Sequence, residues 1–299
     1  ILFKKVLQNK KFFLYVYIMV YRTKKVRSKK SIKRNKNKSN KNKSNKNKVV
    51  VQSLWVGNRL SRMEYYSIKS FLKLGYIYHL YTYEPIDNVP DGVVVKDGNE
   101  ILDKSEIFYY SNGSPSAFSN LFRYTLLYKK GGYWVDTDIV CHKPFHFTKE
   151  YLFITEPDSQ YNKSILTPSV IKAPMGSEHL SNIIKRCYLY KKAITENKMK
   201  WGMGPATIKE LVIENKLFEY IVPWNTFMTC FCFHYISLLN PTFKPHPLVI
   251  SKPTEIPNNM IGVHFWNECF RRNNLDKNGT YQENSLFEFF KKKYNLNLK

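Results

Sequence analysis

Ser116-Ala117-Phe118-Ser119-Asn120-Leu121-Phe122-Arg123-Tyr124, followed across Gly131-Gly132 by Tyr133-Trp134-Val135-Asp136-Thr137-Asp138-Ile139-Val140-Cys141, is the stretch from which the fold is read. In front of it, Ser114-Pro115 offers an N-cap hydroxyl and a proline for the first helical position, where a missing N–H costs nothing. Gly131-Gly132 supplies the stop. The spacing predicts a helix of about four turns between these signals. Phe118, Leu121, Phe122, Thr125 and Leu126 form its apolar stripe, while Ser116, Asn120 and Arg123 recur at steps of four and three on another face. One cation therefore sits on a polar stripe. The aromatic and β-branched run after the glycines reads as a strand that carries two carboxylates.

Working outward, Val49 to Gly57 is an apolar, β-rich run closed by glycine and reads as a buried first strand. Met63, Tyr66, Phe71 and Leu74 then fall near one helical face that stops at Gly75, and Tyr76 to Tyr83 reads as a second strand. Further strands are expected near 151–155, 169–173 and 260–265, with helices near 178–195, after Gly204-Pro205, and over 283–294. Strand, helix and strand in this order predict an α/β layer architecture with a partly parallel sheet. No internal repeat is present, which sets aside solenoids and propellers.

The formal charge of +25 suggests nucleic acid until it is divided by position. Residues 1–48 hold 18 of the 48 Lys and Arg and no acid, so residues 49–299 carry 30 basic against 23 acidic groups, a net of +7. The basic character belongs to an arm, and little points to nucleic acid as a partner of the folded region. From Lys33 to Lys48 that arm is Lys- and Asn-rich with nothing to bury, and it is expected to be disordered. Two readings of it stand: an arm that attracts phosphate backbones or an anionic membrane surface, and a solvated tether, the commoner fate of charge blocks. Phe12 to Tyr21 is apolar but well short of the ~20 residues a spanning helix needs. It reads as a signal-type or interfacial segment, so cytoplasmic and membrane-peripheral locations both remain open.

Cys141, Cys187, Cys230, Cys232 and Cys269 lack the paired spacing of a zinc site and read as mostly buried thiols, which favours a reducing compartment. Asn162-Lys163-Ser164 and Asn278-Gly279-Thr280 would be glycosylation acceptors in a secreted chain.

Asp136 and Asp138, two apart in a strand, leave on one face roughly 6.5–7 Å apart at ~3.3 Å of rise per residue. Two acids so placed repel one another unless something positive lies between them. A hard divalent ion, Mn²⁺ or Mg²⁺, satisfies the pair, with a diphosphate completing the shell. Alone, the pattern is also that of two solvated acids on an edge strand.

The helix Arg123, the Gly131-Gly132 pair and the acids at 136 and 138, with Phe118-Ser119-Asn120-Leu121-Phe122-Arg123-Tyr124, resemble the signature of glycosyltransferase family 32, the group with a DXD sugar-binding region. The resemblance is strongest over residues 116–145 and extends more thinly from about Gln52 to Tyr294. It implies one catalytic domain at 49–299 with a GT-A fold, a Rossmann-like mixed sheet flanked by helices. Asp138 would ligate the metal, Asp136 would contact the ribose or a metal-bound water, and Arg123 would meet the donor sugar or the diphosphate. Ser119 and Asn120 occupy the sugar-binding positions, Asn120 standing where an acid is common in the family. An amide both donates and accepts where a carboxylate only accepts.

The same resemblance assigns Trp55, in the opening Ser53-Leu54-Trp55-Val56-Gly57, to stacking on the nucleotide base. In Gly262-Val263-His264-Phe265-Trp266-Asn267 it assigns His264 to the metal or diphosphate and Trp266 and Asn267 to the donor. Gly204, in Gly202-Met203-Gly204-Pro205, is expected at the cleft before a helix N-terminus. Each has a purely structural reading as a core Trp, a core His or an ordinary turn. Arg271, Arg272, Glu156 and Asp158 are weaker candidates for the cleft.

The expected reaction is transfer of a hexose from a UDP- or GDP-sugar to a glycan, protein or lipid-linked hydroxyl with retention of configuration. The competing readings are a nucleic-acid-binding protein working through its basic arm, with a degenerate transferase domain, and a metal-dependent nucleotidyl-transfer enzyme.

Overall fold

The structure is a computed structural model and describes residues 49–199 and 201–294. The basic arm and the apolar segment at 12–21 lie outside the described residues. From Val49 onward the chain makes one compact unit. Among the described residues no helix is long and apolar enough to cross a membrane.

The first strand, β1 (Val50–Leu54), runs into helix α1 (Arg62–Lys73) and returns as β2 (Ile77–Thr82), parallel to β1 with Val50 opposite Ile77. Helix α1 starts at Ser61, whose backbone N–H donates to Glu64 Oε2 at 2.9 Å, and whose hydroxyl bonds the same oxygen. A third parallel strand, β3 (Val93–Asp97), follows a loop and extends the sheet beside β2. Its half-exposed valines left too weak an alternation to be read from the sequence.

Helix α2 (Ser116–Lys130) has the expected four turns, begins one residue after Pro115, and ends at Gly131. There φ is +64°, and a Cβ would lie 2.7 Å from the Met175 backbone nitrogen, so only glycine fits both the turn and the contact. Strand β4 (Gly132–Val135) then enters the sheet parallel to β1. Its side chains alternate between two cores. Tyr133 and Val135 pack with Met63, Tyr66 and Phe71 of α1, whereas Trp134 packs with Phe118, Leu121 and Phe122 of α2. Each of those Leu and Phe side chains is fully buried, a gain of about 1.5–3 kcal/mol apiece.

The remaining strands of the main sheet are β6 (Leu152–Pro157), β7 (Ser164–Ala173) and the short β8 (Ile221–Val222), which follow β5 (Ile139–Cys141) in the chain. The sheet order is β3-β2-β1-β4-β7-β6-β8, with β7 antiparallel to both β4 and β6. Helices α3 (Glu178–Thr195) and α4 (Met203–Glu214) share the core of α2. Strand β5 leaves the main sheet and pairs with β9 (Gly262–His264), after which come α5 (Asn267–Arg272) and α6 (Leu286–Lys293). The result is a mixed seven-stranded sheet with helices on both faces, an α/β fold with the partly parallel sheet expected.

One expectation is corrected. Asp136 and Asp138 do not share a strand face: they lie in the turn between β4 and β5. The Asp136 N–H still donates to Ser169 on β7 at 2.8 Å, but its carbonyl accepts from Ile139 at 3.1 Å and closes a tight turn. Asp-Thr-Asp is turn chemistry set inside a β-rich run, and the β-branched neighbours masked it.

Candidate active site: an acid pair, an imidazole and a buried guanidinium

Asp136 sits one residue beyond β4, with its side chain 24% exposed. Its Oδ1 accepts from the indole N–H of Trp134 at 2.7 Å and meets Arg123 Nη2 at 3.1 Å. Arg123 is itself 4% exposed and held on several sides. Its Nε donates to the Ser119 carbonyl at 3.3 Å, Nη2 to the Ser119 hydroxyl at 3.2 Å, and Nη1 to the Pro168 carbonyl. The guanidinium also stands 4.9 Å from the Trp134 ring centre. The planar fork is thus locked by its own helix, by β7 and by an aromatic face, which fixes its direction without using water. The stripe read from the sequence held Ser116, Asn120 and Arg123; on the helix Asn120 bonds Ser116, while Arg123 bonds Ser119, one turn before it.

Asp138 is 5% exposed. Its Oδ2 accepts the backbone N–H of Asn267 at 2.6 Å, its Oδ1 lies 3.3 Å from His264 Nε2, and its carbonyl accepts from Phe265 at 3.0 Å. The pairing of β5 with β9 sets Ile139 opposite His264 and so delivers the imidazole to the acid. Asp136, Asp138 and His264 each offer a ligand atom, all within 4.8 Å of one another.

The charges follow from burial and neighbours. Burial raises the Asp136 carboxyl more than Arg123 lowers it. Burial also pushes Asp138 up, but His264 and the hydrogen bonds from His264 and Asn267 hold it below the usual carboxylate range. Burial alone would lower His264, and the negative field of Asp138 and then Asp136 raises it instead. The same negative field that favours the proton on His264 favours a cation, and a metal ion bound there would displace that proton. The donor set fits a divalent ion: two carboxylates and one imidazole are ordinary ligands of such ions, and ligands ~2.1 Å from an ion stand up to ~4.2 Å apart, which the triad approaches with a small inward shift.

The other expected residues have mixed placements. Asn120 is 5% exposed, with its Nδ2 donating to Ser116 at 2.8 Å and its buried Oδ1 unpartnered. Gly204, the second residue of α4, packs against that amide so closely that a Cβ would lie 2.9 Å from Oδ1. Trp266 stacks 4.0 Å from the His264 ring in a left-handed conformation with φ 58° and ψ 55°. Asn267 uses its side chain on Glu64 rather than the cleft, at 2.7 Å. Trp55 is partly exposed and donates to the Arg59 carbonyl at 3.2 Å. Arg271 and Arg272 are bound to Glu268, at 2.7 and 2.8 Å. Glu156, on β6, keeps a buried and unpartnered Oε2, and burial pushes its carboxyl up to about 7 against the pull of His264. All five cysteines are free, three of them buried.

Reading the sequence missed Trp134 and Glu64. Trp134 was visible only as a β-former, although its two-residue offset from Asp136 was the available signal. Glu64 was not singled out in the sequence, and it is wholly buried.

Residues 37–162 match the family described as "Glycosyltransferase sugar-binding region containing DXD motif". That match is to the sugar-binding region as a class, one level broader than the family-32 resemblance. A comparison with curated proteins finds no match. Among solved structures the chain is similar to the apo form of the glycosyltransferase GlyE of Streptococcus pneumoniae TIGR4, with TM-score 0.46, 12% identity, and coverage of 82% of this chain and 60% of that one. It is also similar to the WbbM bifunctional glycosyltransferase (TM-score 0.45, 10% identity, 83% of this chain and 50% of that one). A third is the UDP-bound glycosyltransferase domain of the YGT toxin (TM-score 0.36, 9% identity, 80% of each chain). The chain thus spans half to three-fifths of the length of the first two. The motif acids Asp136 and Asp138 lie inside the matched stretch, so residues 37–162 carry a match to the DXD-containing sugar-binding region of glycosyltransferases.

Proposed function

We propose that the protein transfers a hexose from a nucleotide-diphosphate sugar, UDP- or GDP-linked, to a hydroxyl of a glycan, protein or lipid-linked acceptor, with retention of configuration and with Mn²⁺ or Mg²⁺ as cofactor. The observation that carries this reading is the convergence of Asp136, Asp138 and His264 beside a buried Arg123. A divalent ion held there supplies positive charge to the diphosphate as it leaves.

In this reading the chain's own residues do the positioning. Asp138, fixed by the Asn267 N–H, and His264 give ligand atoms from a buried wall, so no reorganisation is needed when charge develops. Asp136 has one oxygen tied to Trp134 and Arg123, which leaves the other for the ion or for a ribose hydroxyl. Asn120, its carbonyl buried against Gly204, shapes the wall on this side of the donor rather than reaching the sugar directly. Trp55 stacks on the base. The bond between the sugar's anomeric carbon and the diphosphate oxygen breaks, the acceptor oxygen bonds that carbon from the vacated face, and the acceptor's proton passes to the departing phosphate oxygen. No protein base is assigned.

The test is turnover of a panel of UDP- and GDP-sugars by purified protein with Mn²⁺, following release of the nucleotide diphosphate. One donor should be hydrolysed or transferred, and Asp138→Ala should abolish this while leaving the fold intact by circular dichroism. Equal turnover by wild type and variant ends the proposal.

A further inference from the structure

Glu64 is a carboxylate with no solvent exposure, and its Oε1 accepts from Asn267 Nδ2 at 2.7 Å and from Lys277 Nζ at 2.9 Å. Lys277 Nζ also donates to Asn267 Oδ1 at 3.1 Å. Asn267 in turn gives its backbone N–H to Asp138. The ammonium is thus a single residue away from a motif acid. It also lies 5.4 Å from the Trp55 ring centre. The loop that carries Lys277 is pinned to the start of α1, where Arg62 N–H donates to Asn278 Oδ1 at 2.9 Å and Arg62 Nη1 to the Asn278 carbonyl at 3.1 Å.

An ammonium has three donors, and two of these three are spent on Glu64 and Asn267. The side chain keeps 24% of its exposure, so a third N–H is left over for a ligand beside the Trp55 ring. The other cation of the site, Arg123, is 4% exposed and tied to Asp136. A nucleoside diphosphate lying from Trp55 to the acids passes Lys277 with its phosphates, whose charge matches the remaining donor.

We infer that Lys277 is a diphosphate-binding residue of the donor site, with Glu64 as the positioning residue that holds its ammonium between Trp55 and Asp138. The inference rests on the donor-site reading above and adds a residue that the motif does not contain. Glu64 fixes one end of the ammonium and Asn267 the other, so a long flexible side chain is ordered before the ligand arrives. The same Asn267 ties the phosphate contact to the acid pair.

The experiment is titration calorimetry, with Mn²⁺ present, of UDP, GDP, the parent nucleosides and inorganic pyrophosphate. Wild type should bind one nucleoside diphosphate, and Lys277→Met should weaken it about tenfold or more while changing nucleoside and Mn²⁺ affinity less than twofold. Lys277→Arg should recover most of the loss. Because Lys277→Met leaves a buried carboxylate with one fewer partner, Glu64→Gln/Lys277→Met serves as the variant with no stranded charge. It should fold and still bind the diphosphate weakly. Restored binding in that double variant shows a purely structural lysine and overturns the inference. So does unchanged diphosphate affinity in Lys277→Met. Wild type that binds no nucleoside diphosphate overturns the donor-site reading together with this one, and is told apart by the wild-type arm alone.

Discussion

Replacing Arg123 by Met removes a 4%-exposed guanidinium while keeping most of its volume and its contact with Trp134. Breaking a buried ion pair by deleting one partner costs about 3–5 kcal/mol, and the 24% exposure of Asp136 places this case near the lower end, about 3 kcal/mol. For a domain of this size that is a fall in Tm of roughly 6–12 °C. The sign reverses for cation binding. A doubly charged ion on the acid pair would stand ~6 Å from the guanidinium, a repulsion of about 3 kcal/mol at an effective dielectric of ~40, between a surface pair and bulk water as suits the partly exposed Asp136. Removing it should therefore tighten Mn²⁺ affinity by roughly 10- to 100-fold, since each 1.4 kcal/mol is tenfold. The assay is thermal unfolding with EDTA and with stepped Mn²⁺, next to calorimetric Mn²⁺ affinity. Arg123→Met should start lower and gain more from the ion than wild type, while donor turnover falls. Identical Mn²⁺-induced gains in the two proteins would mean that Arg123 and the ion do not share a field, and the acid pair would no longer be the cation site.

In metal-free protein the raised His264 stabilises fully below its ordinary value of ~6.5, and this is lost as pH rises through the raised value. Asp138, held low, contributes above ~3.9 and loses that contribution as pH falls through its lowered value. Urea unfolding in EDTA should thus show stability falling on the alkaline side, a slope that His264→Asn removes; a slope unchanged in the variant assigns it elsewhere. Gly204→Ala drives a Cβ into the Asn120 amide and should raise the donor KM about tenfold, with a stability loss of about 1–3 kcal/mol, read by kinetics and urea melts. An unchanged KM would remove Asn120 from the donor wall. Trp55→Ala should weaken nucleotide by about 1–3 kcal/mol if the indole carries the base, read by calorimetry with nucleoside alone. An equal affinity assigns the indole to structure only.

The parts of the fold that the sequence disclosed are those where one period runs long enough to be unambiguous. Helix α2 was legible because cap, stripe and glycine stop agree, and its polar stripe proved to be the one that carries Arg123 to Asp136. Strand β3 was hidden, since its half-exposed valines show no alternation. The turn at Asp136 was hidden for the opposite reason: β-branched residues on both sides suggested one continuous strand, and the break is decided by β5 finding a partner far along the chain. Individual acids and the imidazole could be named from spacing and resemblance. Their partners could not. Glu64, Asn267 and Lys277 meet across up to 213 positions, and no local pattern encodes such a meeting; Trp134, two residues from Asp136, is the local exception.

The candidate ligand cluster joins Asp136 and Asp138 to a histidine 126 positions after Asp138, delivered by the last of the described strands. A polypeptide emerging from the ribosome already contains the whole recognisable motif when residue 162 has appeared, yet it holds only two of the three ion-binding groups. On the proposed reading, competence to capture the cation comes only with the arrival of β9, some way after the motif itself. Loading with metal is in this sense a completion signal: a product truncated before Gly262 would keep the signature of the family and lack the finished pocket.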